Sequence, residues 1–207
     1  MSDVSAIATT GLERLTTDVA DAIMALDASG ARYKAFQPGA GPFGEPQLVA
    51  EVARWLNSRA PYEGIVKTKR TPDMLVSGMW AIEFKIARPF GDNGREAENW
   101  SVNLLHPYEG NASVIGDCLK LVSLPLAERK AVIVVGYEHV PPKISLTDLV
   151  LSFEAVATSV KHLHLSSRVE AERRPLVHPV HQCLRVFAWE VLGHASRSLT
   201  GDESSYP

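Results

Sequence analysis

Residues 71–86 read TPDMLVSGMWAIEFKI, and their two short apolar runs meet at a central Ser-Gly pair. Apolar runs joined in this way are typical of a β-hairpin. Charged side chains interrupt it at three positions, Asp73, Glu83 and Lys85. On a strand Glu83 and Lys85 share one face, because successive side chains point to opposite sides. Buried charges are tolerated mainly when they are paired or bind a metal, so this segment indicates a functional site.

The three charged side chains suit one kind of chemistry. Asp73 and Glu83 offer the hard oxygen ligands that Mg²⁺ prefers. Lys85 can stabilise an anionic transition state or help to activate a water. The sequence therefore predicts a site for a divalent cation and a phosphate.

The register of the hairpin determines whether the two carboxylates meet. With a two-residue turn, Asp73 lies opposite Ile82, and Asp73 and Glu83 point to opposite faces of the sheet. A three-residue turn or one bulge brings Asp73 opposite Glu83. The metal site requires this second register.

The pair Pro72-Asp73 followed by Glu83-Phe84-Lys85 resembles the signature of the PD-(D/E)xK nuclease superfamily. This superfamily includes type II restriction endonucleases and Holliday-junction resolvases. The resemblance implies hydrolysis of phosphodiester bonds with Mg²⁺, or with Mn²⁺ as a substitute, and DNA as the expected substrate. It implies that Asp73, Glu83 and the backbone carbonyl of Phe84 hold the metal. Lys85 would orient the attacking water or neutralise developing charge.

Members of the superfamily often carry an acidic residue on the first core helix, where this chain offers Glu45 and Glu51. At ~100° per residue, Glu45 points with the apolar stripe of the helix, and Glu51 points well away from it. The opening of the helix also resembles the Gly-Glu-x-x-Leu pattern of the resolvase branch. Glu45 is thus the predicted fourth catalytic residue, with Glu51 in reserve. The structural alternative is that Glu45 only complements the helix dipole.

Hydrophobic periodicity predicts the element order α-β-β-β-α-β over residues 45–137. The predicted helices cover 45–57 and 111–124. One predicted strand, near 63–69, precedes the hairpin in the chain, and another, near 130–137, follows the second helix. This order matches the common core of the restriction endonuclease-like fold. We therefore expect one α/β domain over residues 1–207, with a mixed central sheet flanked by helices.

Segments outside the predicted core are expected to add helices. An amphipathic helix within 11–28 must pack on the core or on another subunit, and by analogy with endonucleases it would supply the interface of a homodimer. Residues 88–110 are predicted to form a long loop. The extension 145–194 would hold a helix from a Thr147 cap to about residue 165, and residues 185–191 would form an edge strand or a closing helix. Residues 196–207 would be a frayed tail.

Composition and charge place few limits on function. The net charge of −3 does not exclude a nucleic-acid partner, because the local field decides binding. Lys69, Arg70 and Lys120 are candidate substrate-binding residues. No apolar run reaches ~18 residues and no secretory signal is visible, so we expect a cytoplasmic protein without a membrane partner. Cys118 and Cys183 are expected to be buried free thiols.

Other interpretations remain open at this stage. His162 and His164 are two residues apart on a predicted helix, so they do not share a face and are poor co-ligands. His178 and His181 lack the further ligands that zinc requires at the usual spacing. The main alternative to a nuclease is a catalytically inactive nucleic-acid-binding or structural module that keeps the fold. In a third interpretation the charged strand is an edge strand, with Glu83 and Lys85 as a surface pair.

Overall fold

A computed structural model describes residues 11–108 and 112–194 of the chain, so the predicted tail at 196–207 lies outside the described residues. The described part contains helices and strands in alternation. The helices are α1 (Leu12–Ala28), α2 (Glu45–Asn57), α3 (Val102–Leu105), α4 (Val114–Ser123) and α5 (Leu146–Ala155). The strands are β1 (Val66–Thr68), β2 (Met74–Val76), β3 (Trp80–Ala87), β4 (Arg129–Glu138), β5 (Leu163–Leu165), β6 (Val169–Arg173) and β7 (Cys183–His194).

The seven strands form one mixed sheet in the order β1-β2-β3-β4-β7-β5, with β6 also paired to β7. β3 and β4 run parallel, and the other neighbours are antiparallel. Alternate residues of β3 enter different hydrophobic clusters: Ile82 packs with α1 and α2, whereas Ala81 packs with α4 and α5. The sheet is therefore covered by helices on both faces, and the predicted α/β class is confirmed.

The predicted element order over residues 45–137 is present, with α3 as an addition inside the expected loop. The observed β1 is shorter than the predicted strand, and α2 has the predicted bounds with its proline in the first turn. The observed α4 begins at Val114 rather than near 111, because the Ser113 hydroxyl accepts a hydrogen bond from the Gly116 amide and caps the helix.

The C-terminal extension differs most from expectation. Ser145, not Thr147, caps α5, which ends at Ala155 and continues as a π-helical turn over Val156–Val160. The end of the predicted helix is strand β5, and β6 was not predicted. The strand interpretation of 185–191 is correct, but its placement at an edge is wrong, because β7 lies between β4 and β5.

The apolar face of α1 packs on the chain's own sheet. Leu15, Val19 and Ile23 are fully buried in the cluster shared with β3 and β7. This face is therefore not available as the predicted dimer interface. Near the end of α1, the buried Asp27 carboxylate accepts hydrogen bonds from the amides of Ala40 (2.9 Å) and Val177 (2.6 Å), which fixes two loops to the helix.

Both cysteines are buried and unpaired, as predicted. Among the described helices, none combines the length and the apolar character that crossing a bilayer requires.

Candidate active site

The β2–β3 hairpin brings the two predicted metal ligands together. Met74 pairs with Ile82 and Val76 with Trp80, so three residues form the turn and Asp73 falls opposite Glu83. Gly78 lies in the middle of this turn with φ +74°, a left-handed conformation that glycine adopts without steric cost. The register that the metal site requires is therefore the observed one.

Asp73 is held at the mouth of the hairpin by the main chain of the neighbouring strand. Its Oδ2 accepts a hydrogen bond from the Phe84 amide at 2.8 Å. The carboxyl group of Asp73 also shares a hydrogen bond with that of Glu83. The two acidic side chains are thus adjacent.

Glu83 is almost inaccessible to solvent, with a relative exposure of 3%. Burial raises its pKa to about 8, and the neighbouring Asp73 carboxylate is the next largest cause. Like charges at this distance cannot both ionise easily, so a proton is retained by the pair near neutral pH.

Lys85 connects the hairpin to both flanking helices. Its Nζ lies 3.2 Å from Glu45 Oε1, 3.0 Å from Asp117 Oδ2 and 3.2 Å from the Phe84 carbonyl oxygen. Burial alone would lower the pKa of Lys85, but the charges of Asp117 and Glu45 outweigh it and raise the pKa. Lys85 is consequently a charged ammonium whose partners come from α2, β3 and α4.

Asp117 is the functional candidate that the sequence analysis missed. It lies in the first turn of α4 and is 3% exposed. Its Oδ1 accepts from Lys120 Nζ at 2.7 Å, whereas its buried Oδ2 accepts no hydrogen bond despite the ion pair with Lys85. The sequence did contain one indication of this role. Asp117 and Lys120 are three residues apart on the polar side of one predicted helix, so their charges are neighbours on the helix surface.

Glu45 and Glu51, the two candidates on α2 for the fourth catalytic residue, lie in different places. Glu45 reaches Lys85 from the first turn of α2, and burial, its largest influence, raises its pKa. Glu51 instead pairs with Arg54 on the outer side of the same helix. The structure therefore brings Glu45, and not Glu51, to the cluster.

Of the three candidate substrate-binding residues, Lys120 is the one that pairs with acidic side chains at the site. Lys120 is half exposed and lies 3.4 Å from Glu83 Oε1, so it joins the cluster at its rim. Lys69 and Arg70 are exposed in the connection from β1 to β2. Within the described residues neither of them forms an ion pair.

The whole group is here called the charged cluster; its members are Glu45, Asp73, Glu83, Lys85, Asp117 and Lys120. Four carboxylates and two ammonium groups leave two formal negative charges when all are ionised. β3 lies between β2 and β4, so the interpretation of Glu83 and Lys85 as a surface pair on an edge strand is wrong. No group of three or more His, Cys, Asp and Glu side chains in the described ranges is arranged to hold a metal ion.

The histidines lie outside the charged cluster. His164 is in β5, and His162 precedes it with φ 54°, so the helix predicted for them is absent. The rings of His178 and His181 stack with centroids 4.4 Å apart, and His178 Nε2 is 2.8 Å from Asp92 Oδ1. Burial lowers the pKa of His181 to about 4, so this ring is neutral at physiological pH.

Comparisons of the chain with protein-family models, with curated protein sequences and with solved structures give no match. Function must therefore be argued from the charged cluster itself.

Proposed function

We propose that this chain is a Mg²⁺-dependent nuclease that hydrolyses phosphodiester bonds in DNA, with a restriction endonuclease-like fold. The observation that carries the proposal is the placement of Asp73 and Glu83 side by side, with Lys85 in the same cluster. This is the arrangement that the PD-(D/E)xK resemblance implies. Restriction, repair or defence against phage are all compatible roles.

The donor set of the charged cluster fits a divalent cation. Its formal excess of two negative charges equals the charge of Mg²⁺, and its oxygen atoms are of the hard type that Mg²⁺ prefers. Burial and the Asp73 carboxylate raise the pKa of Glu83, and a cation held beside it would offset both effects. Asp73, Glu83 and the Phe84 carbonyl would hold the ion.

A cation bound there would polarise the scissile phosphate and lower the pKa of a nearby water. Lys85 supports this chemistry through its fixed charge. Because the pKa of Lys85 is raised, it acts as an ammonium that neutralises charge developing on the phosphate, rather than as a base. Its three contacts hold it in position before substrate arrives.

Glu45 and Lys120 complete the proposed site from the two helices. The carboxylate of Glu45 can accept a hydrogen bond from the attacking water, and its ion pair with Lys85 orients both groups. Lys120 is half exposed, so its ammonium can contact a phosphate of the bound strand. Asp117 holds both lysines and is therefore a positioning residue.

Incubation of the purified chain with supercoiled, linear and single-stranded DNA, with and without Mg²⁺, tests the proposal. We expect Mg²⁺-dependent cleavage that Asp73→Asn abolishes. Asp148→Asn is the matched control, because Asp148 is exposed in the first turn of α5. If wild-type protein binds DNA without cutting it at any Mg²⁺ or Mn²⁺ concentration, the chain is the inactive binding module and not a nuclease.

A further inference from the structure

A cavity of about 450 Å³ lies beside the charged cluster. Four aromatic side chains, Tyr33, Phe36, Phe90 and Trp100, contribute to its lining, together with the guanidinium-bearing Arg88. This volume falls in the range typical of small-ligand sites, which are mostly apolar with a few polar groups. The aromatic rings thus suit a planar ligand, and Arg88 offers a cationic group to an anionic part of it, in a lining that also holds the carboxylates of Asp92 and Glu98.

The position of the cavity relates it to the charged cluster. Gly44 and Ile86 both line it, and they are the chain neighbours of Glu45 and Lys85. Consecutive Cα atoms are about 3.8 Å apart, so the cavity begins within one residue of two cluster members. The cavity and the charged cluster therefore lie next to each other at the start of α2 and along β3.

Arg88 is the basic side chain of a lining that also includes the carboxylates of Asp92 and Glu98. Asp92 is paired with His178 rather than with Arg88. Arg88 donates from Nη1 to the Gly41 carbonyl at 2.7 Å. It forms no ion pair with any carboxylate in the described ranges. Within the same ranges, the only buried side-chain polar atoms without a hydrogen bond belong to Asp117 and His181. The other guanidinium N–H groups are therefore free to reach a ligand, and guanidinium suits phosphate and stacked rings.

We propose that this cavity binds one unstacked nucleotide of the strand being cleaved, with its base against the aromatic rings and a phosphate at Arg88. This inference rests on the proposed function, which supplies the nucleic acid. Bases stack on aromatic side chains with little dependence on sequence, and Arg adds charge to such contacts. A base taken out of the duplex loses its stacking energy, and the aromatic rings of the cavity offer a surface that replaces part of it.

Calorimetric titration with a deoxynucleoside monophosphate, without metal, tests the cavity independently of cleavage. We expect the wild-type protein to bind it at least tenfold more tightly than inorganic phosphate or the free nucleoside, because both halves of the ligand contribute. Arg88→Met should remove the contribution of the phosphate group to the affinity, and Trp100→Ala should remove the contribution of the base. Phe36→Ala serves as a second aromatic variant, because Phe36 is 39% exposed and its truncation leaves the core intact.

Two matched controls lie outside the cavity. Arg59→Met removes an arginine that stacks on Trp55, and Tyr108→Ala removes an aromatic ring that is 69% exposed. Both controls should bind the nucleotide as the wild-type protein does. Equal affinity in Arg88→Met, Trp100→Ala and Phe36→Ala, or a nucleotide bound no better than phosphate, overturns the inference.

A cleavage assay on the same variants separates this inference from the proposed function. DNA cleavage by a wild-type protein that does not bind the nucleotide overturns the cavity site and leaves the nuclease standing. Nucleotide binding through Arg88 and Trp100 without any cleavage supports the cavity and overturns the nuclease.

Discussion

The ammonium nitrogen of Lys85 lies 3.0 Å from Oδ2 of Asp117, which joins the central strand β3 to helix α4. Asp117 Oδ1 is simultaneously bound by Lys120, so one buried carboxylate positions two cations. Truncating one partner of a buried charge pair leaves the other uncompensated. The geometry of the charged cluster therefore depends on a residue outside the sequence motif.

Replacement of Asp117 by asparagine should lower the rate of DNA cleavage about 10- to 100-fold. The neutral amide cannot hold Lys85 and Lys120 in place, and 1.36 kcal/mol of lost transition-state stabilisation corresponds to about tenfold in rate. The positioning role predicts a fall in kcat with little change in KM, and a downward shift of the Lys85 pKa in NMR titration. An unchanged rate together with an unchanged Lys85 pKa would remove Asp117 from the site.

The contribution of Glu83 to the stability of the metal-free protein should fall as pH rises between about 4.5 and about 8, because the native state retains the Glu83 proton that the unfolded chain releases. Glu83→Gln removes this titration. We expect the variant to gain stability relative to wild type across this window, and the gain should level off above about pH 8. Urea unfolding at several pH values measures it.

The control for this experiment is Glu128→Gln, since Glu128 is more exposed and its carboxylate accepts only the Gly78 amide among the hydrogen bonds of the described residues. A pH profile of Glu83→Gln parallel to that of wild type would contradict the buried protonated carboxyl group.

Mg²⁺ and Mn²⁺ should raise the melting temperature of the wild-type protein. A ligand present at 100 times its Kd stabilises the native state by about 2.7 kcal/mol. Asp73→Asn should show no such shift, whereas Asp148→Asn should respond as the wild type does. Calorimetry should also detect proton release on binding, because Glu83 must ionise to accept the ion. Equal thermal shifts in both variants would place the ion elsewhere.

Gly41→Ala should destabilise the protein by about 1–3 kcal/mol, the usual cost of overpacking a filled interior. A Cβ at this position would lie 2.2 Å from His181 Nδ1, and the Gly41 carbonyl is the acceptor for Arg88. Thermal unfolding measures the effect. The comparison is Gly91→Ala, where the nearest atom to the new Cβ is Asn93 Oδ1 at 3.3 Å, on an exposed side chain.

Local patterns predicted the parts of the fold that local forces determine. The apolar stripe and early proline of α2 gave its bounds, and the alternation in β3 placed Glu83 and Lys85 on one face. Asp117 could not be assigned in this way, because its role depends on α4 packing across β3. β7 was misplaced since its neighbours in the sheet, β4 and β5, are distant in sequence.

The charged cluster could be predicted from the sequence more readily than the cavity. Asp73 and Glu83 belong to one hairpin, so their meeting required only the choice between two turn lengths. The cavity combines Tyr33, Arg88 and Trp100 from separate segments, and no periodicity links them. Sequence patterns alone therefore gave no indication of an aromatic cavity beside the charged residues.

The length of the three-residue turn over 77–79 limits which deletions the charged cluster can tolerate. Side chains alternate along a strand, so losing a single turn residue would point Asp73 away from Glu83 while leaving every other amino acid intact. Under the proposed nuclease function, natural variants that retain activity should keep the spacing between these two acids, whereas loop lengths elsewhere can vary.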